Sequence, residues 1–214
     1  MKTRRLGKTD AQVSEFIFGC GNVGGIMIHG DQNTRQSAVK KALDFGINWF
    51  DTAANYGNGQ SEENLGTVLK KLGAKPFVST KLFIDPKQTD DLPGQVERLL
   101  HESMERLQLD HIDLIQLHNG IEGVDGGRSL CTDNILGRTG AIYGMERMRD
   151  QGLIKWIGMT ALGDSYLCKR LIESGRIDTA QVYFNMINPT AAHAVPRHSS
   201  SQMKKKKSTG QDFT

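Results

Sequence analysis

The chain has 214 residues, 37% of them hydrophobic and 24% charged, with a formal net charge of +3. That length suits one sizeable domain with its own core. Part of the positive excess comes from the lysine run 204–207, so the body is near neutral and gives no basis for a nucleic-acid surface.

The N-terminus, MKTRRLGKTD, is charged but no apolar segment follows it, so neither a signal peptide nor a membrane span is expected. Cys20, Cys131 and Cys168 are scattered and odd in number. Such usage points to a reducing compartment, and a cytoplasmic location is expected.

Residues 2–14 read as a short hairpin turning at 7–10. Strand signals and helical patterns then alternate. Apolar, β-branched or aromatic runs occur at 16–18, 47–50, 77–79, 112–117, 154–159 and 179–184. Helical patterns cover 34–45, 61–72, 92–107, 140–151 and 165–174. In the second of these, Ser61 is the expected N-cap, Glu62 and Glu63 occupy the first turn, and Leu65, Val68, Leu69 and Leu72 form the apolar stripe. Gly152 and Gly175 suit helix stops.

The segment 119–139 is a long glycine-rich connection, more consistent with a functional or mobile loop than with a simple link. Beyond residue 185 no helical pattern appears, and SSSQMKKKKSTGQ has the composition of a disordered tail. The expected division is therefore a folded unit over 1–185 and an irregular tail over 186–214.

Alternating units imply parallel strands with crossover helices. An open doubly wound sheet and a closed (β/α)8 barrel both satisfy the pattern. A barrel usually takes about 250 residues, and six strand candidates are visible here.

The segment GCGNVG at 19–24 matches the dinucleotide-binding fingerprint G-x-G-x-x-G. That motif works only if a helix opens within it, so that backbone N–H groups meet a pyrophosphate. Here helical periodicity waits until about Asn33, which leaves a plain loop as the competing explanation. The six histidines show no metal-ligand spacing, and no nucleophile elbow is present.

A different constellation lies at the strand ends. Asp51 closes the second strand run, Lys81 the third and His118 the fourth, and Tyr56 sits in a small-residue loop just after Asp51. Period-2 alternation puts Ile112, Leu114, Gln116 and His118 on one face. Taken singly, each of the four has a structural explanation: a turn aspartate, a half-buried aromatic, a solvated strand-end lysine, a core histidine. Together they fall at the strand edge where α/β folds build sites. An ammonium near a phenol favours the phenolate, a carboxylate holds the ammonium charged, and an imidazole can orient a carbonyl oxygen. Those four groups make a proton-donating site for carbonyl reduction.

RRLGKTDAQVSEFIFGCG, FDTAANYGNGQSEENLG, STK, DLIQLH and GLIKWIGMTALG, in that order, resemble an aldo-keto reductase over about residues 3–185. The resemblance implies a (β/α)8 barrel whose N-terminal hairpin closes the bottom, with NADPH (or NADH) bound at the C-terminal face. It implies Asp51, Tyr56, Lys81 and His118 as the catalytic tetrad, Tyr56 being the general acid. Gln181 and Thr160 correspond to residues that bond the nicotinamide carboxamide, with Ala161 standing where the family often has asparagine. Gly21 and Asp51 belong to the same cofactor-facing edge.

Relatives continue through two further βα units carrying a stacking aromatic and the 2′-phosphate ligands, so a C-terminally truncated barrel of about six units is expected. The implied activity is reduction of a small aldehyde or ketone, or the reverse oxidation of an alcohol or sugar. The alternative is a catalytically impaired reductase scaffold acting as an interaction or regulatory protein. Self-association through open barrel edges is a further expectation.

Overall fold

The computed structural model describes residues 1–192. The rest of the expected tail, including the lysine run, lies outside them. The chain opens with the antiparallel hairpin of β1 (Thr3–Arg5) and β2 (Gln12–Ser14). Six strands then form one sheet: β3 (Phe18–Gly19), β4 (Trp49–Asp51), β5 (Phe77–Leu82), β6 (Ile112–Leu117), β9 (Ile154–Thr160) and β10 (Thr179–Gln181). Every neighbouring pair is parallel.

The spatial order of the strands follows the chain without reversal. A doubly wound sheet reverses direction and opens its ligand crevice at that switch point. This sheet has none, so the arrangement is that of a barrel, with β3 and β10 as its edges among the described residues. The crossovers carry α2 (Gln32–Asp44), α3 (Gln60–Leu72), α4 (Leu92–Leu107), α6 (Ala141–Asp150) and, before β10, α7 (Ser165–Glu173).

Two apolar clusters divide the sheet's faces. The larger packs Phe50, Val78, Leu82, Ile115, Leu117, Ile157 and Met159 against the helices. The smaller joins Trp49, Leu114 and Trp156 to Ala11 and Val13 of the hairpin region, with Leu6 and Phe77 at its margin. The hairpin thereby plugs the N-terminal end of the inner face, as the resemblance implies. Leu114 packs there, whereas Ile112, expected on the same face, packs in the larger cluster.

Several local expectations need correction. The first strand starts later than 16, and Phe16 and Ile17 are exposed. The last strand stops at Gln181, with Val182, Tyr183 and Phe184 exposed. The physical reason is the register: Gln181 pairs with Thr160, the last residue of β9, and no ladder extends beyond it. The glycine motif is followed by α1 (Ile26–His29), which starts after the left-handed Gly25 and outside 19–24, so the dinucleotide fingerprint lacks its helix. The 119–139 connection is folded: β7 (Gly120–Glu122) pairs with β8 (Ser129–Cys131), α5 (Thr132–Leu136) follows, and Ile121, Leu130 and Ile135 are buried.

Helix α3 is capped by Gly59, not by Ser61, whose hydroxyl turns inward to the Cys20 carbonyl at 2.9 Å. Glu62, in the first turn as expected, is 0% exposed. Its carboxylate accepts from Thr80 Oγ1 at 2.5 Å and from Arg106 Nε at 2.6 Å, tying α3 to β5 and α4. A buried carboxylate tolerates its desolvation only when so partnered.

Gly66 allows the close crossing of α3 and α4, since a Cβ there would overlap the backbone of Leu107. Alanine would gain up to about 1 kcal/mol of helix propensity. The overlap is with backbone that cannot swing aside, and such overpacking costs about 1–3 kcal/mol. Gly66→Ala is therefore expected to lower the urea midpoint. An unchanged or raised midpoint would show that the helices can separate without loss.

Candidate active site

The four ionisable residues singled out in the sequence converge at the C-terminal edge of β4, β5 and β6. Register explains why. Asp51 pairs with Ser79, and Lys81 with Gln116, so Lys81 and then His118 each stand two positions, one side-chain period, further along than the site residue of the strand before. Alternation then aims Asp51, Ser79, Lys81, Gln116 and His118 at the inner face.

Tyr56 is delivered by the loop between β4 and α3. Three consecutive residues there, Gly57, Asn58 and Gly59, have positive φ (58°, 55° and 92°), a path that only glycine and asparagine take readily. A Cβ on Gly57 would also strike Ile28 at 2.7 Å. The phenol ring rests against Gly21, where a Cβ would stand 3.3 Å from it. Gly21, expected to face a cofactor, thus also makes room for Tyr56.

Lys81 is 2% exposed. Its Nζ donates to Asp51 Oδ2 at 2.6 Å, to the Thr52 carbonyl at 2.7 Å and to the Tyr56 hydroxyl at 3.5 Å. An ammonium has three N–H donors; two make short bonds here and the third a long contact with the phenol oxygen. Asp51 Oδ1 accepts from Ser79 Oγ at 2.6 Å and, more weakly, from Gln116 Nε2 at 3.3 Å. Ser79 and Gln116 are the site residues that sequence reasoning missed as such. The two-residue spacing of Ser79 from Lys81 carried the signal for the first. Gln116 had been put on the right face without a role.

His118 stands edge-on to Tyr56, with ring centroids 6.0 Å apart. Its Nδ1 is buried without a hydrogen-bond partner among the described residues. Burial, followed by the positive charges of Lys81 and Arg128, lowers its pKa from 6.5 to about 4. The imidazole is therefore neutral at ordinary pH and presents a single N–H.

A cavity of about 310 Å³ opens over Tyr56, Lys81 and His118, and Thr160, Leu162, Gln181, Val182 and Tyr183 complete its lining. Thr160 Oγ1 gives its hydrogen to the Leu117 carbonyl at 3.1 Å, which leaves its lone pairs for a donor in the cavity. The Gln181 backbone carbonyl accepts from Ala161 N–H at 2.9 Å. Burial pushes the thiols of Cys20 and Cys168 up, the latter to about 11, so neither serves as a thiolate. Among the described residues no cluster of His, Cys, Asp and Glu could hold a metal, and no helix is long and apolar enough to cross a membrane.

The sign of the His118 shift sets its pH behaviour. The folded value lies below 6.5, so as pH falls the unfolded chain takes up the proton first. Stability associated with a neutral His118 is intact above about pH 6.5 and is lost toward pH 4. The His118 ring proton followed by NMR is expected to titrate with a midpoint near pH 4. A midpoint at 6.5 would mean that water reaches the ring freely.

Comparison with known proteins gives the family of the chain. A model of the aldo/keto reductase family matches residues 15–202. L-galactose dehydrogenase of Arabidopsis thaliana is 31% identical over 165 residues, which cover 76% of this chain and 49% of the plant protein. Methylglyoxal reductase DkgA of Escherichia coli O157:H7 is 32% identical over 139 residues, covering 65% of this chain and 44% of the bacterial one. The solved holo structure of an aldo-keto reductase from Bacillus halodurans superposes with a TM-score of 0.68 at 26% identity, over 86% of this chain and 58% of that one. The chain spans about half the length of the curated relatives it matches. A family match over most of the chain, on a parallel sheet with sequential strand order, shows that the chain belongs to the aldo/keto reductase family.

Proposed function

We propose that this site reduces the carbonyl group of a small aldehyde or ketone, or oxidises the corresponding alcohol or sugar in reverse, with Tyr56 as the proton donor. The observation that carries the reading is the set of contacts around Lys81: Asp51 Oδ2 at 2.6 Å, the Thr52 carbonyl at 2.7 Å and the Tyr56 hydroxyl at 3.5 Å, beneath an open cavity.

In the reductive direction the Tyr56 hydroxyl gives its proton to the carbonyl oxygen of the substrate. The phenol oxygen is left negative, and the Lys81 ammonium stabilises that charge at close range in a water-poor site. Asp51 and the Thr52 carbonyl keep the ammonium charged and in place. Neutral His118 offers one N–H to orient the carbonyl oxygen without competing for the proton.

The described residues fit the nicotinamide end of NADPH or NADH. The amide of Gln181 and the free lone pairs of Thr160 Oγ1 line the same cavity as Tyr56, and together they can bond a carboxamide. Such a cofactor supplies hydride when bound. Ala161 cannot add the amide contact that asparagine would give. The names of the relatives, L-galactose dehydrogenase and methylglyoxal reductase, agree with a small hydroxyl or carbonyl substrate.

The protein is expected to oxidise NADPH in the presence of 4-nitrobenzaldehyde, followed by absorbance. Tyr56→Phe keeps the ring and deletes the acid. It should lower kcat by roughly 100-fold or more, as loss of a general acid does, while cofactor binding followed by fluorescence persists. A Tyr56→Phe protein with undiminished kcat would remove Tyr56 from the chemistry.

A further inference from the structure

Beneath the four strand-end residues runs a chain of hydrogen bonds that the proposed chemistry does not by itself require. Trp49 lies two residues before Asp51 on β4 and is buried in the apolar floor, its ring 6.0 Å from that of Trp156. Its indole nitrogen can only donate, and it does so to Ser79 Oγ at 2.9 Å. That contact occupies a lone pair of the hydroxyl and directs its own hydrogen elsewhere. The acceptor is Asp51 Oδ1 at 2.6 Å.

The direction of both bonds is therefore fixed by chemistry: indole to serine, serine to aspartate. Asp51 Oδ1 has one other donor, Gln116 Nε2, but at 3.3 Å that bond is near the outer limit and cannot alone set the carboxylate plane. With Oδ1 held from below, Oδ2 faces Lys81 Nζ. Ser79 itself is 1% exposed.

We infer that Ser79, oriented by the Trp49 indole, is a positioning residue: it fixes the Asp51 carboxylate and through it the place of the Lys81 ammonium beneath Tyr56. The kinetic consequence rests on the carbonyl-reduction reading, whereas the consequence for Lys81 does not. If Ser79 served only to satisfy the indole N–H, its removal would lower stability and leave Lys81 undisturbed. As a positioning residue it also governs how long the Lys81 ammonium keeps its three acceptors.

The test uses the full chain and its Ser79→Ala, Ser79→Thr and Trp49→Phe variants. Two quantities are read: kcat and KM for NADPH with 4-nitrobenzaldehyde, and the hydrogen-exchange rate of the Lys81 ammonium, assigned in nitrogen-15 NMR spectra. Ser79→Ala is expected to lower kcat by roughly tenfold with KM within about twofold, the signature of a misplaced reacting group and not of lost binding. Its Lys81 exchange should accelerate by a similar factor. Ser79→Thr, which keeps the hydroxyl, should restore most of both. Trp49→Phe keeps the aromatic floor but frees the serine hydroxyl to turn, and should lower kcat by about threefold in the same direction. It also decides the matter if Ser79→Ala fails to fold. Unchanged kcat and unchanged Lys81 exchange in folded Ser79→Ala or Trp49→Phe would overturn the inference. If the parent chain shows no turnover, the reductase reading falls, and Lys81 exchange alone decides the role of Ser79.

Discussion

The interaction on which the rest of the site depends is the burial of one ammonium group. An ion with 2% exposure has lost nearly all its water, at a cost of several kcal/mol unless protein groups replace the lost bonds. Lys81 recovers them from Asp51, the Thr52 carbonyl and the Tyr56 hydroxyl. Two of these acceptors come from the end of β4 and the residue after it, and the third from the loop that follows. The ammonium therefore ties β5 to β4 and holds the left-handed Gly57–Asn58–Gly59 path against the sheet. Removing any acceptor would leave a buried charge short of a partner. The proposed catalytic arrangement is in this sense also a folding constraint.

The inner face is organised to make that burial bearable. Its lower layer is aromatic, with Trp49, Phe77 and Trp156 sealed by the hairpin. Its upper layer is polar. Ser79 is the joint between them, since it accepts from the floor and donates to the carboxylate. On the opposite face of β5, Thr80 donates to buried Glu62, which also binds Arg106. The strand that carries Lys81 is thus gripped from both faces, so the lysine sits on a rigid element and not on a loop.

Much of this was legible in the sequence, and the limits have physical causes. Alternation of strand and helix signals gave the order of elements, and ionisable residues at three successive strand ends gave the candidate site. Pattern could not choose between a barrel and a doubly wound sheet, because both alternate. What decides is the spatial order of strands, which periodicity does not encode. Ser79 and Gln116 escaped for a related reason: alternation assigns a face, but the pairs Asp51–Ser79 and Lys81–Gln116 depend on register between strands. The first-turn place of Glu62 was legible, but its burial was not. Its partner Arg106 is 44 residues away, beyond any local signal. The last strand was overextended because its apolar residues outrun the ladder that β9 offers.

In the proposed reading, proton transfer and cofactor binding draw on different parts of the sheet. Asp51, Lys81 and His118 belong to β4, β5 and the end of β6, each strand paired on both sides. Gln181 sits on β10, which has one neighbour among the described residues, and Thr160 ends the strand beside it. Backbone groups paired on one side only open more readily than those held on both. The groups proposed to donate the proton are therefore held on strands paired on both sides, whereas of the two proposed to bind the carboxamide, Gln181 rides on the edge strand. The geometry around Lys81 can persist when the edge moves, because none of its three acceptors comes from β9 or β10. Occupation of the cavity, by contrast, depends on how well the β9–β10 edge is held.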